Sequence, residues 1–498
     1  MSTTNHEKFY ITTAIDYPNG KPHLGHTYEK IVTDTYARWA RFLGKKTHFL
    51  TGTDENGQKL QISAESAGES NVYEFVEKNA NIFKSLCSDL KITNDDFIRT
   101  TEDRHIKVAQ NLWKKLEDNG DIYRGTYEGE YCTDCEQFYP ENQIVDGNCP
   151  SHGKPLVHVK EEGFKFKLSK YHDWIQSYIE ENKSFVFPKS AREEMLGRLR
   201  VEPLRDLSFS RKASGWGIPV PSDENHVIYT WGDALINYYT PVMNGDYKED
   251  TWPADVHVIG KDISWFHIII WPCMLKALGL EIPRQIHVHG MVLDEKGRKM
   301  SKSVGNVIDP YDIINNFPND TIRYYLLRNV PSGSDGRASI DGFKKRHNNE
   351  LANELGNLVN RAIKLSLKKI SPDIKADNHV LEFNIADLIV DDMRSLMSEN
   401  LHHKALDKYW EGVSRLNTFL NDKEPWKIKD DPELFGNIMY TCLHGVYVLG
   451  VMGTAFMPEA SRKIQEYLGL EIADHLPEHF PKKDFSLSDP KALFMRMD

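Results

Sequence analysis

The sequence predicts an α/β protein: a split, Rossmann-like parallel sheet with a small domain inserted between its halves, followed by an all-α bundle. Three observations carry this. A strand–helix–strand alternation fills the first 60 residues and returns between residues 256 and 289. The span between them is rich in Gly, Pro, Cys and short strand-like runs, and from about residue 340 the apolar pattern turns helical. At 498 residues the chain exceeds what one core can hold, so several domains are expected.

Each element has its own signal. Residues 9–15 are β-branched and aromatic, and Tyr17-Pro18-Asn19-Gly20 reads as a turn. Tyr28, Ile31, Val32, Tyr36, Trp39, Ala40 and Leu43 then share one helical face that stops before Gly44. A second strand is expected over 47–51, completing a βαβ unit whose parallel strands are buried on both faces. Later, 256–259 reads as a strand, 263–278 as an apolar helix closed by Gly279, and 285–289 as a strand. The expected boundaries are 1–116 and 227–290 for the two halves of the sheet, 117–226 for the insertion, 291–345 for a loop and junction region, and 346–498 for the bundle. In the bundle Leu351, Leu355, Leu358, Val359, Ala362 and Leu365 form one stripe, and the helical pattern is expected to reach the end of the chain.

Composition excludes some classes. With 40% apolar and 27% charged residues the chain is ordinary globular protein, and a net charge of −11 argues against wholesale coating of nucleic acid while leaving room for local basic surfaces. The N-terminus has no apolar signal region, and the apolar stretch around 266–275, read as the longest, is too short to span a bilayer. No membrane association and a cytoplasmic location are therefore expected. Six cysteines in this length make no disulfide scaffold, and Cys87, Cys273 and Cys442 read as plain thiols. The other three cluster: Cys132-x-x-Cys135, 13 residues, then Cys149-x-x-His152. That spacing predicts two knuckles closing a tetrahedron around one zinc ion, with no open position, hence a structural site. The bland alternative is reduced thiols.

Two motifs point to phosphate chemistry. His23-Leu24-Gly25-His26 follows the first strand and its turn, where a helix N-terminus offers N–H groups and two imidazoles can donate to phosphate oxygens. Lys299-Met300-Ser301-Lys302-Ser303 follows a polar stretch, Asp294 to Arg298, with a turn glycine at 297. Two lysines and two hydroxyls there suit a leaving pyrophosphate. Taken singly, the first motif reads as two surface histidines at a helix start and the second as a solvated basic loop.

Together, on a split sheet followed by helices, the two motifs resemble the class I aminoacyl-tRNA synthetases. The resemblance implies catalytic roles for His23, His26, Lys299 and Lys302, and ATP, with Mg2+, held by His23, Gly25, His26 and Lys302. The chemistry is in-line attack of an amino-acid carboxylate on the α-phosphate, without a covalent enzyme intermediate. Along nearly its whole length the chain is similar to the methionine-specific branch. That implies a methionine pocket of Ala14, Ile15, Tyr17, Asp54, Trp231, Ala234, Tyr238, Asp262, Ile263 and His267. Asp54 would accept the substrate ammonium, and Tyr17 and His267 would turn polar hydrogens toward the sulfur. Taken singly, Trp231, Tyr238 and Ile263 read as core.

The same resemblance implies a zinc knuckle in the connective insertion. At roughly 110 residues the insertion looks too short for a large hydrolytic editing domain. It also implies that Asn357, Arg361 and Trp426 read the anticodon, Trp426 by stacking on an unstacked base. Singly these residues read as a solvated helix face and a core indole. The implied partners are initiator and elongator tRNA(Met), L-methionine and ATP. The basic run 343–347 is placed near the tRNA stem or on plain solvated surface. With no further domain after the bundle, a monomer is expected. Three positions depart from the pattern: Asp16, where many relatives carry an apolar residue or proline; Asn56, where histidine is common; and Leu235, where some have proline. Rival readings are a class I enzyme for cysteine, leucine, isoleucine or valine, and a silent tRNA-binding relative; intact His23, His26, Lys302 and Asp54 argue against the last.

Overall fold

The computed structural model describes residues 7–132, 137–139, 144–150, 153–300 and 305–497. Among these, six parallel strands form the main sheet: β1 (Lys8–Thr13), β2 (Lys46–Thr53), β3 (Asp96–Arg99), β4 (Val186–Phe187), β5 (Val256–Gly260) and β6 (Ile286–His289). Their spatial order is β3-β2-β1-β5-β6-β4. Ile11 lies opposite Val256 and Thr13 opposite Val258, so the two halves legible in the sequence close into one sheet. Strand order reverses between β1 and β5, which leaves a crevice beyond their carboxyl ends.

Strand β4 lies inside the 117–226 span, yet it pairs with β6, Val186 opposite Ile286. The expectation that this span only interrupts the sheet is therefore corrected. A two-residue strand carries no readable period. Elsewhere in the span Ile122–Cys132 pairs antiparallel with Val157–Phe166, flanked by Gln137–Tyr139 and Leu207–Ser208. At its far end Cys132, Tyr139 and Cys149 bury together, with Ile144 and Leu156 partly buried around them.

Helix α1 (Leu24–Phe42) follows β1, and almost all of it is buried. Its apolar residues, Tyr28, Ile31, Val32, Tyr36 and Trp39 among them, share one continuous core with the helices C-terminal to the sheet domain. Those helices include α2 (Asn319–Asn329), α3 (Asn357–Lys369), α4 (His402–Lys423), α5 (Pro432–Met452) and α6 (Pro458–Tyr467). Each such large side chain contributes about 1.5–3 kcal/mol on burial, so α1 is held from both sides and its first turn is a fixed platform. The buried guanidinium of Arg323 on α2 locks this junction. It donates to Asp34 Oδ2 (2.6 Å) and Thr35 Oγ1 (3.1 Å) of α1, and to the carbonyls of Ala455 (2.9 Å) and Phe456 (3.1 Å).

Three further expectations are corrected. The apolar helix over 263–278 is broken: a 3-10 turn spans Lys261–Ile263, a π turn Phe266–Ile270, and regular helix only Trp271–Leu278 before Gly279. Among the described residues the most membrane-like stretch is not 266–275 but α5, which is long and apolar enough to cross a bilayer; 89% of its apolar 18-residue stretch is buried within the bundle. The chain is also not helical to its end. After α6 it runs extended, pairing Phe485–Ser486 with Asp373–Ile374, and the Met495 carbonyl accepts from His347 Nε2 at 2.7 Å. These tail contacts join residues more than a hundred positions apart, which no local period reveals.

Candidate active site

The first motif caps α1. The His23 imidazole accepts from Gly25 N–H at 3.1 Å, and His26 Nδ1 accepts from His23 N–H at 3.1 Å, a reciprocal capping box made by two histidines. The rings stack at 3.8 Å, and His26 meets the edge of Phe83. Because each Nδ1 receives a backbone hydrogen, each neutral ring carries its proton on Nε2. Burial, with His23 beside it, holds His26 well below the usual histidine range. The ring is therefore neutral, with an N–H to offer rather than a positive charge. A Cβ at Gly25 would lie 2.9 Å from His23 Cε1, so a larger residue there would displace the capping ring.

The end of β2 supplies Asp54, buried, its N–H donating to the Asp16 carbonyl at 2.8 Å. Ala14, Ile15, Asp54, Trp231, Ala234, Leu235, Tyr238, Ile263 and His267 line one narrow cavity at this end of the sheet. Eight of these belong to the methionine-binding set expected from the sequence, and they come from four separate segments of the chain. Trp231 stacks on Phe266 at 3.8 Å and 6°. Tyr10 O–H donates to the Tyr238 carbonyl at 2.8 Å, fixing that wall from β1.

His267 differs from expectation. Its Nδ1 lies 3.0 Å from the Ile263 carbonyl, which can only accept, and its Nε2 lies 2.7 Å from the Tyr238 hydroxyl. Burial lowers its pKa to about 4, so it is neutral, and burial also keeps the Tyr238 phenol protonated. Nδ1–H therefore donates to Ile263 and Nε2 accepts from Tyr238, leaving no polar hydrogen for a sulfur atom. Tyr17 does not line the cavity; it is partly buried against the cluster of Leu60, Ala64, Phe75, Val76 and Trp216, with the Lys59 ammonium 5.8 Å from its ring. Asp262 is exposed and does not line the cavity. What the cavity offers a side chain is aromatic and apolar surface, suited to a polarizable thioether.

Residues that sequence reasoning did not assign to the site complete it. Leu235, in the sequence only a departure from the family pattern, lines the cavity. Asn56 Nδ2 donates to Asp233 Oδ2 at 2.8 Å and so ties the end of β2 to the segment bearing Trp231 and Ala234. Asp294 organises the base of the second motif. Its oxygens accept from Lys296 N (3.0 Å), Arg298 N (2.8 Å), Arg298 Nε (2.9 Å) and Asn306 Nδ2 (2.9 Å). These donors, the Asn306 amide foremost, hold its carboxyl far below the ordinary carboxylate range. The legible signal is Asp-x-x-Gly-Arg, with Gly297 at φ 76°. Lys299 is exposed, its carbonyl accepting from Asn306 at 3.2 Å. Ser301, Lys302 and Ser303 lie outside the described residues.

Of the four zinc-type side chains, Cys132 and Cys149 are brought into one buried cluster, while Cys135 and His152 lie outside the described residues. On the helical region Arg361 and Trp426 meet, the guanidinium 5.1 Å from the indole, and both Arg361 Nη atoms donate to Asn421 Oδ1 at 3.2 and 3.1 Å. Asn357 is exposed one turn before Arg361 on α3, and Trp426 is 39% exposed, which leaves indole surface for stacking.

Residues 9–155 and 151–363 match the family tRNA synthetases class I (M). The chain is 42% identical over 482 residues to the methionine–tRNA ligase of Clostridium tetani, covering 94% of this chain and 75% of that one. To that of Bacillus subtilis it is 39% identical over 521 residues, covering 98% and 78%. Among solved structures, Mycobacterium tuberculosis methionyl-tRNA synthetase in complex with methionyl-adenylate matches with a TM-score of 0.92 and 34% identity, covering 98% of this chain and 100% of that chain. Its apo form matches with 0.85 and 31%, covering 100% of both. The matched spans run through both halves of the sheet and both phosphate-type motifs, and the chain belongs to the class I tRNA synthetases, within the methionine–tRNA ligase family.

Proposed function

We propose that this chain activates L-methionine with ATP and transfers it to the 3′ end of tRNA(Met), initiator and elongator alike. The observation that carries this is one cavity, lined mostly by apolar and aromatic groups, with the Asp54 carboxylate in its wall, at the same carboxyl end of the sheet as the two Nε2–H donors. The methionine ammonium pairs with Asp54, and its thioether lies among Trp231, Tyr238, Ile263 and Ala14. A methionine carboxylate oxygen then bonds to the α-phosphorus of ATP as the bond from that phosphorus to pyrophosphate breaks. His23 and His26 donate to phosphate oxygens as neutral imidazoles, and Lys299 and Lys302 take up charge on the leaving pyrophosphate. Mg2+ accompanies the ATP. In the second step the tRNA 3′-terminal ribose hydroxyl attacks the methionyl carbonyl, and AMP leaves.

Pyrophosphate exchange with a panel of amino acids tests this reading. Exchange with methionine is expected; robust exchange with leucine and none with methionine would reject it. Asn357, Arg361 and Trp426 are assigned to the anticodon, a reading supported by the guanidinium–indole contact on an exposed face. Trp426→Ala is expected to cut tRNA charging by roughly five- to a hundredfold, the size of one lost base stack. Exchange activity should stay near wild type, and loss of both activities would count against the assignment.

Cys132, Cys135, Cys149 and His152 are assigned to one structural zinc. The burial of Cys132 and Cys149 in one small cluster supports this, since a core that size gains folding energy from metal. Metal analysis of native protein should find about one zinc per chain on the four-ligand argument; its absence would reject the site. We also read the enzyme as a cytoplasmic monomer, which sedimentation at micromolar concentration would check for the oligomeric state.

A further inference from the structure

Lys30 lies four residues after His26 on α1, and its ammonium is wholly buried. Nζ sits 2.8 Å from Asp16 Oδ2, 3.2 Å from Thr13 Oγ1 and 3.5 Å from the Ala14 carbonyl. One lysine thus grips three positions on the segment that leaves β1: Thr13 and Asp16, which flank the cavity residues Ala14 and Ile15, and the main chain of Ala14 itself. Asp16 is equally buried, and its main chain is spliced into the end of β2. Its N–H donates to the Gly52 carbonyl at 2.9 Å, and its carbonyl accepts from Asp54 N–H at 2.8 Å. Thr13 Oγ1 also meets Thr51 Oγ1 at 2.7 Å. The neighbouring Glu29 carboxylate pairs with His289 at the end of β6, 2.9 Å away. The floor of the crevice is therefore tied to α1 by buried charge at two adjacent helix positions.

Apolar side chains could fill this space at no loss of stability, because desolvating two ions roughly cancels their attraction. What a buried pair supplies instead is geometry: it holds only in one arrangement. We propose that the Lys30–Asp16 ion pair is a positioning device for the amino-acid substrate, fixing the Asp54 carboxylate relative to the Ala14–Ile15 wall. It acts through Asp54 and does not touch substrate. The proposal rests on the reading of Asp54 as the ammonium acceptor.

The test is steady-state pyrophosphate exchange with the full chain. Lys30→Met should raise KM for methionine by about ten- to a hundredfold, the scale set by a displaced binding group. KM for ATP and kcat should move less than about threefold, since His23 and His26 are held by their own capping box. Asp16→Asn keeps the shape, drops the charge and reads the same split if Lys30→Met does not fold. The double variant Asp16→Leu/Lys30→Met separates positioning from packing: thermal stability should return toward wild type while KM for methionine stays raised. Recovery of both together would overturn the proposal, as would equal rises in KM for methionine and ATP. If wild type exchanges with a different amino acid, the methionine reading fails by itself, and the proposal is judged on the KM of that amino acid.

Discussion

Asp54→Asn is expected to lower kcat/KM for methionine by on the order of 10²–10³-fold, with KM for ATP nearly unchanged. The asparagine fits the same space, so the change is one of charge. Asp54 is buried at the end of β2 in a cavity otherwise lined by apolar and aromatic groups and a neutral histidine. An ammonium entering there sheds its water, and only a carboxylate makes up the loss. Removing one partner of such a desolvated pair costs about 2–5 kcal/mol, and each 1.4 kcal/mol is about tenfold. Initial rates of exchange across a methionine series at saturating ATP measure it. A variant with near-normal methionine dependence would show that the ammonium is held elsewhere.

Arg323→Met is expected to destabilise the protein by about 3–5 kcal/mol, the range for breaking a buried ion pair. Methionine fills the stem of the arginine but leaves the Ala455 and Phe456 carbonyls without that donor and removes one cation from Asp34. Urea denaturation followed by circular dichroism reads the loss; a shift under about 1 kcal/mol would mean the junction re-forms around the methionine. The partner carboxylate adds a pH signature. Burial alone would raise the Asp34 pKa, but Arg323 and Arg38 outweigh it and hold the group below its ordinary value. A folded pKa below the unfolded one stabilises fully above the unfolded value of about 4 and loses that contribution as pH falls through the folded value. The acid limb of stability should therefore be shallower in Asp34→Asn than in wild type.

Much of the catalytic region is legible in the sequence because its elements are long and periodic. Helix α1 has one apolar face with a glycine after it, and β1, β2, β5 and β6 are β-branched runs between turn residues. Eight of the nine cavity residues are identified by family resemblance rather than by their own pattern; Trp231 or Tyr238 alone reads as core. Features that rest on two or three residues escape. Strand β4 is a pair of residues between helices. The π turn at Phe266–Ile270 changes one hydrogen-bond register inside an apolar run that looks uniformly helical. The extended tail after α6 is ordered by α3 and its neighbours, not by its own composition.

His267 marks the boundary between the two kinds of knowledge. Residue type permitted a ring hydrogen aimed at the substrate, and the fold committed both ring nitrogens to Ile263 and Tyr238. Tyr17 likewise kept its aromatic character and took a different neighbourhood. Sequence alone determined the chemistry on hand: imidazoles after the first strand, a carboxylate after the second, a lysine-rich loop after the second half-sheet, an indole among the bundle helices. Those come from residue identity and local period, which a chain carries wherever it folds. Only tertiary structure decided which hydrogen each ring carries, that Lys30 of α1 pairs with Asp16 after β1, and that Arg323 bolts the bundle to α1. Such facts depend on contacts between distant segments, where burial removes water and every polar group must find its partner inside the protein.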